Sequence, residues 1–155
     1  MTIYLVRHGS AGSRDEDDPD DLERRLDEVG RQQAKLLVEV LAGRAIDEIH
    51  SSPAPRCLES VEPLARARGL AVVADATLLE GTDVERSWKI VEQLAAAGRD
   101  SVLCSHGDVI PDLVHRAQQR GMQIRGKSGC SKGSVWALHW TDGAFVSGDY
   151  TPVKI

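Results

Sequence analysis

Short apolar runs rich in β-branched residues alternate along the chain with longer segments whose apolar residues recur every three or four positions. The short runs predict β-strands, and the longer segments predict amphipathic helices. The strands are expected at Thr2–Val6, Ala45–His50, Leu70–Val73 and Ser101–Ser105. This alternation is typical of a parallel sheet whose strands are joined by helical crossovers.

Four helices are predicted between and after these strands. They are a first around Ala34, Leu37, Val38 and Leu41 ending at Gly43, a second from Ser52-Pro53 to about Arg68, a third capped by Thr82 or Asp83, and a fourth from about Asp108. The second helix has the clearest start signal. Ser52 is expected to cap it, with Pro53 at the first helical position, where a missing N–H costs nothing.

Two further apolar runs near the end of the chain, Ser134–Trp140 and Ala144–Gly148, flank an Asp142-Gly143 pair. Asp-Gly favours the tight turn of a β-hairpin. The complete pattern predicts an α/β three-layer sandwich, with a mainly parallel sheet, helices on both faces and a C-terminal β-hairpin. A length of 155 residues suits one core, so residues 1–155 are expected to form a single domain.

The charge pattern limits the partners. The chain has a net charge of -5, and the run Asp15–Asp21 predicts an irregular acidic loop. A broad surface for nucleic acid or an anionic membrane is therefore not expected. Three widely spaced cysteines predict reduced thiols, and no segment resembles a membrane span or a signal peptide. These features favour a cytoplasmic protein.

Two strands are each predicted to end in His-Gly. His8 and Gly9 follow the first strand with Arg7 before them, and His106 and Gly107 follow the fourth. The carboxyl ends of parallel strands face the ligand crevice, so the two imidazoles are expected to share one pocket. A guanidinium beside them suits phosphate oxygens, and a glycine lets an anion approach backbone amides. No metal site is expected, because the spacing of zinc ligands is missing.

Two further side chains are candidates at the same edge of the sheet. Arg56 falls in the first turn of the second helix, where the helix N-terminus attracts anions, although an ordinary surface charge is the alternative. Glu80 lies between the third strand and the third helix and could donate a proton. It could equally be a loop acid, and Asp83 and Glu85 are nearby competitors.

Two lysines, Lys127 and Lys132, are left open by the sequence. They could extend a cationic pocket towards a polyanionic substrate, or they could be solvated loop residues.

Five sequence blocks together resemble the histidine phosphatase superfamily, also called the phosphoglycerate-mutase-like family. Four of the blocks occur in the same order as in the family: Leu5-Val6-Arg7-His8-Gly9, Ser51-Ser52-Pro53 with Arg56, Leu78-Leu79-Glu80-Gly81, and Ser105-His106-Gly107. The fifth block consists of Leu26, Gly30 and Gln33-Ala34. The resemblance covers nearly the whole chain.

The resemblance implies a role for each candidate. It implies that His8 is the nucleophile that becomes phosphorylated, that Arg7, Arg56 and His106 surround the phosphoryl group, and that Glu80 is the proton donor. Gly9 and Gly107 are expected beside the substrate. No cofactor and no metal ion are implied.

The resemblance also limits the classes of substrate that are expected. The small size is similar to the short branch that contains phosphohistidine phosphatases, whereas Val109–Leu113 and Lys132–Ser134 resemble phosphatase domains joined to Nudix hydrolases in actinobacteria. The stretch Ser10–Arg14 lacks residues usual in phosphoglycerate mutases. We therefore expect a phosphatase that prefers a phosphohistidine protein. The alternatives are a nucleotide or another small phosphomonoester as substrate, or a non-catalytic module that binds phosphorylated ligands.

Overall fold

The structure, a computed structural model that describes residues 1–155, contains a seven-stranded sheet. The strands are β1 (Thr2–Arg7), β2 (Glu48–Ser51), β3 (Val72–Ala74), β4 (Ser101–Ser105), β5 (Gln123–Arg125), β6 (Val135–Thr141) and β7 (Ala144–Thr151). The helices are α1 (Glu28–Val40), α2 (Pro55–Arg68), α3 (Val84–Ala96) and α4 (Val109–Gln119), with short 3₁₀ turns at Asp21–Glu23 and Ala76–Leu78. None of the four helices combines the length and apolar character that a membrane span requires.

The strand order is β3-β2-β4-β1-β6-β7-β5, and four of the six neighbouring pairs are parallel. β1 and β4 are parallel neighbours at the centre of the sheet, and Arg7 is paired in register with Ser105. The residues that follow these two, His8 and His106, therefore leave the sheet side by side. The predicted mainly parallel α/β sheet is confirmed.

Helices cover both faces of the sheet, as the sequence predicted. Along β1, Ile3 and Leu5 pack into the hydrophobic cluster that contains α3 and α4 residues. Tyr4 and Val6 point to the opposite cluster, which contains α1 and α2 residues. A strand buried on both faces has a nearly continuous apolar sequence, which is why Ile3–Val6 contains no charged side chain.

The predicted start of the second helix is wrong. Ala54 is the N-cap, Pro55 takes the position expected for Pro53, and no side chain caps the first turn. The Ser52 hydroxyl lies instead 2.8 Å from His106 Nε2. Pro55, two residues after Pro53, also fits the first helical position, and the expected cap Ser52 contacts His106 instead.

The observed strand boundaries differ from the predicted ones mainly at the N-terminal ends of two strands. β2 and β3 begin at Glu48 and Val72, later than expected, and the edge strand β5 was not predicted. β5 has only three residues, and both of its ends are exposed, so it carries no apolar pattern. The C-terminal hairpin is confirmed: Asp142 and Gly143 have φ values of 51° and 82°, as a type I′ turn requires.

Helix α1 fixes the loop that follows β1. Asp27 caps the helix and accepts a hydrogen bond from Ser10 Oγ at 2.6 Å. Gln33 accepts from the Ser10 amide at 2.8 Å and donates to the Lys132 carbonyl at 3.0 Å. A Cβ on Gly30 would lie 2.0 Å from the Ser10 carbonyl oxygen. The Gly30 and Gln33 positions of the sequence motif therefore hold the chain just beyond His8.

We predict that Gly30→Ala destabilises the protein, although alanine usually favours a helix. The new methyl group must displace the Ser10 carbonyl, at a cost of about 1–3 kcal/mol in the free energy of unfolding. Urea unfolding measures this change, and Glu39→Ala on the exposed side of the same helix is the control. Equal stabilities of the Gly30→Ala and Glu39→Ala variants would contradict this packing.

Candidate active site

A cavity of about 740 Å³ opens at the carboxyl ends of β1 and β4. Its lining contains no hydrophobic residue, only charged side chains, one histidine and two glycines. The lining residues are Arg7, His8, Arg14, Arg24, Arg56, Glu80, Gly81, Gly107, Asp108 and Lys132. A site lined this way is suited to an anion and not to an apolar ligand.

The hydrogen bonding of His8 leaves one of its ring nitrogens unprotonated. Its Nδ1 lies 2.8 Å from the Gly9 carbonyl oxygen, which can only accept, so Nδ1 carries the proton. Burial lowers the pKa of His8 from 6.5 to about 3, and the charges of His106, Arg56 and Arg7 act in the same direction. His8 is therefore neutral at pH 7, with an unprotonated Nε2 at the cavity.

Arg56 connects the two histidines. Its side chain is 1% exposed, with Nε 3.4 Å from His8 Nε2 and Nη2 3.3 Å from His106 Nδ1. Nη2 also lies 3.7 Å from a Glu80 oxygen. These distances are longer than those of strong hydrogen bonds. An anion placed between the histidines would offer the guanidinium closer partners.

The acidic loop closes the remaining side of Arg56. Nη1 donates to the carbonyl oxygens of Asp21 and Leu22 at 3.4 and 3.3 Å. Backbone carbonyls of this segment thus contact the guanidinium, while the mostly buried Asp21 carboxylate pairs with Arg24.

His106 is completely buried next to His8, with ring centroids 5.4 Å apart. Its Nδ1 lies 3.3 Å from Arg56 Nη2, and its Nε2 lies 2.8 Å from Ser52 Oγ. The Cys57 sulfur lies 3.5 Å from the same Nε2. Ser52 and Cys57 therefore fix the orientation of the second imidazole from behind.

Arg7 is locked against the turn after β4. Its Nη1 donates to the Cys130 carbonyl at 2.7 Å, and a Cβ on Gly107 would come within 2.7 Å of its Cζ. Arg7 Nε is buried without a hydrogen-bond partner. A buried donor left unpaired is costly, so an oxygen anion bound here would gain from pairing with it.

Gly9 was expected beside the substrate, but its surroundings in the structure are different. The Gly9 amide already donates to Ser60 Oγ at 2.9 Å, and a Cβ here would lie 3.0 Å from Gly30. Gly9 is also not part of the cavity lining. Close packing against α1 explains this glycine, while its contact with substrate stays a prediction.

The structure places Glu80 in the cavity, 3.6 Å from Arg14 and 3.7 Å from Arg56. Its competitors lie elsewhere: Asp83 caps α3 and Glu85 pairs with Arg116. Glu80 is therefore the acid among the three that lines the same cavity as His8.

Four charged residues of the cavity were missed or left open by the sequence. Of the two lysines that the sequence left open, Lys132 lines the cavity and Lys127 does not. Arg14, Arg24 and Asp108 were not singled out, although Asp108 directly follows His106-Gly107. Its carboxylate accepts from the Gly81 amide at 2.8 Å and so holds the loop that carries Glu80. No group of three or more histidine, cysteine or acidic side chains is arranged to hold a metal ion.

The sequence and the fold were compared with known proteins. Residues 3–83 match the sequence model of the histidine phosphatase superfamily (branch 1). The 8-oxo-(d)GTP phosphatase of Mycolicibacterium smegmatis is 33% identical over 152 residues, which are 96% of this chain and 47% of that protein. The chain thus spans about half the length of this curated relative.

Solved structures share the fold at lower sequence identity. The protein histidine phosphatase SixA complexed with tungstate matches with a TM-score of 0.75 and 21% identity, over 97% of this chain and 94% of that one. A mycobacterial glucosyl-3-phosphoglycerate phosphatase complexed with VO3 matches with a TM-score of 0.73 and 22% identity, over 96% of each chain.

The lowered pKa of His8 predicts that acid destabilises the fold. Below pH 6.5 the unfolded chain protonates this imidazole, whereas the folded chain keeps it neutral down to about pH 3. The free energy of unfolding should therefore fall as pH decreases through this window. Between pH 7.5 and pH 5 the His8 contribution is on the order of 2 kcal/mol.

Urea unfolding of the parent and of His8→Gln at both pH values isolates this contribution, since the variant lacks the titrating ring. His115→Gln, which removes an exposed histidine, should retain the pH dependence of the parent. An identical dependence in the parent and in His8→Gln would disprove the burial effect.

Proposed function

Because the chain belongs to the histidine phosphatase superfamily, we propose that it hydrolyses phosphorylated compounds with His8 as nucleophile and without a metal ion. One observation carries the proposal: neighbouring strands bring the unprotonated Nε2 of His8 into a cationic cavity beside Arg56 and His106. A neutral imidazole nitrogen at such a place can form a covalent intermediate.

In the first step, the lone pair of His8 Nε2 attacks phosphorus in line with the leaving oxygen. The Nε2–P bond forms, the P–O bond to the leaving group breaks, and the leaving oxygen takes up a proton. The proton stays on Nδ1, and its hydrogen bond to the Gly9 carbonyl oxygen stabilises the ring as it becomes positive.

In the second step, a water molecule attacks the phosphorus of phospho-His8. The new O–P bond replaces the N–P bond, inorganic phosphate leaves, and His8 returns to its neutral form. In both steps, the main contribution required of the surrounding side chains is electrostatic stabilisation of the phosphoryl oxygens.

The charge stabilisation is assigned to Arg7, Arg56 and His106. Arg56 reaches both imidazoles, and Arg7 offers an unpaired buried Nε at the same cavity. Gly107 takes part because only a glycine leaves room for the Arg7 guanidinium. Guanidinium groups bind phosphoryl oxygens bidentately, which fixes the in-line geometry as well as the charge.

Glu80 is proposed as the group that gives a proton to the leaving oxygen and later takes one from water. Its position in the cavity, within 3.7 Å of Arg56, supports this role. General acid–base help of this kind is worth about 10²–10⁴-fold in rate.

For the substrate we propose a small phosphorylated compound of the nucleotide class. The support is the 33% identical relative, which is named an 8-oxo-(d)GTP phosphatase and is about twice as long as this chain. The phosphohistidine protein favoured by the sequence remains the rival, since likeness to SixA at 21% identity supports the fold alone. We further propose that residues 1–155 act as one domain.

Trapping the intermediate tests the proposed chemistry. Rapid quenching at alkaline pH after mixing with a ³²P-labelled phosphomonoester should leave one acid-labile phosphoryl group on the protein. The label should disappear in His8→Ala and persist in His115→Ala, whose histidine is exposed on α4. Label that persists in His8→Ala would exclude His8 as the nucleophile, and binding without turnover would indicate a non-catalytic module.

Metal independence is a second prediction. Cationic side chains supply the stabilisation that metal ions give in other phosphatases, so hydrolysis of nitrophenyl phosphate should survive exhaustive chelation. Vanadate should inhibit, because it adopts the trigonal-bipyramidal geometry of the transferred phosphoryl group. Activity that is lost on chelation and restored by a divalent cation would contradict this role of the cations.

A further inference from the structure

The cavity holds more positive charge than one phosphoryl group uses. Arg7 and Arg56, with His106 behind them, are already assigned to the group that His8 attacks. The remaining cations of the lining are Arg14, Arg24 and Lys132. They have no part in the proposed chemistry, yet they share one cavity with it.

The side chain of Arg24 and the backbone at Lys132 are each held in place by hydrogen bonds. Arg24 donates through Nε to Asp21 at 2.9 Å and through Nη1 to the Ala11 carbonyl at 2.7 Å, which leaves Nη2 for the cavity. The Lys132 carbonyl accepts from Gln33, and the next amide, of Gly133, donates to the carbonyls of Arg7 and His8. The backbone that carries Lys132 is thus held beside the strand end that carries the nucleophile, through the amide of Gly133.

Arg14 is held only loosely. Its guanidinium is 58% exposed and pairs with Glu16 at 3.3 Å and with Glu80 at 3.6 Å. Exposed ion pairs of this kind contribute little to the stability of the fold. Arg14 can therefore exchange its carboxylate partners for a ligand anion.

The size and polarity of the cavity agree with a second charged group. A volume of about 740 Å³ is much larger than one phosphoryl group, and no hydrophobic residue lines it. Ligand pockets are usually lined mainly by apolar side chains. The part of the substrate next to the reacting phosphoryl group must therefore be polar or charged.

From these contacts we infer that Arg14, Arg24 and Lys132 bind a second phosphate group adjacent to the one that His8 removes. The substrate class is then a compound with two neighbouring phosphate groups, such as a diphosphate. This inference rests on the proposed function for the identity of the reacting group. A phosphate is favoured over a carboxylate because it matches several cations with a larger charge and more acceptor oxygens.

Binding of non-hydrolysable ligands tests the inference without relying on turnover. Calorimetry in metal-free buffer compares methylphosphonate, phosphonoacetate and methylenediphosphonate, which differ in their second anionic group. We expect methylenediphosphonate to bind at least tenfold more tightly than methylphosphonate, with phosphonoacetate between them.

Variants identify the residues responsible. Lys132→Gln and Arg14→Gln should each reduce the ratio of the two affinities at least threefold, whereas Lys127→Gln, outside the cavity, should leave it unchanged. Arg56→Lys should weaken both ligands and preserve the ratio, because Arg56 serves the first phosphate.

A ratio near one in the parent, or a ratio that survives both Lys132→Gln and Arg14→Gln, would overturn the inference. Phosphonoacetate binding as tightly as methylenediphosphonate would overturn the choice of a second phosphate. Failure of the His8 trapping experiment together with a retained ratio would refute the proposed chemistry and leave this binding site standing.

Discussion

The guanidinium of Arg56 lies buried at the centre of the site, and the surrounding structure must satisfy its hydrogen-bond donors and its charge. Arg56 is 1% exposed, and an uncompensated buried charge is strongly destabilising. Its partners come from four separate parts of the chain: His8 after β1, His106 after β4, Glu80 after β3, and the carbonyls of the acidic loop. One side chain thus brings together segments that the sheet alone only places nearby.

The same arrangement explains why the site is ready for an anion. The sheet register places both histidines side by side, and the Gly9 carbonyl fixes the proton of His8 on Nδ1. The donors around Nε2 are only partly satisfied, with Arg56 contacts of 3.3–3.7 Å and an unpaired Arg7 Nε. An incoming phosphoryl group would complete these hydrogen bonds and separate the positive charges from one another.

The sequence predicted the parts of this site that depend on regular structure. Apolar runs ending in His8 and His106 marked the two central strands, and the helical start near Arg56 marked the cation between them. Ser52 was misread as a helix cap because Pro53 and Pro55 both fit the first helical position, and only tertiary contact with His106 distinguishes them.

The rim of the cavity could not be predicted in the same way. Arg14 and Arg24 lie on either side of the irregular acidic segment, which has no periodicity to indicate which way its side chains face. Their positions depend on how the loop folds back over Arg56. Lys132 and Lys127 are indistinguishable by composition, and only the tie from Gln33 to the Lys132 carbonyl places one of them at the cavity.

His8 is a neutral imidazole whose unprotonated Nε2 lies beside a buried guanidinium. The nitrogen chemical shifts of the His8 ring, measured by ¹⁵N NMR between pH 5 and pH 8, test it most directly. We expect a protonated Nδ1 and an unprotonated Nε2 throughout this range, because the pKa of His8 is lowered to about 3. A proton on Nε2, or titration of the ring near its ordinary pKa of 6.5, would contradict it.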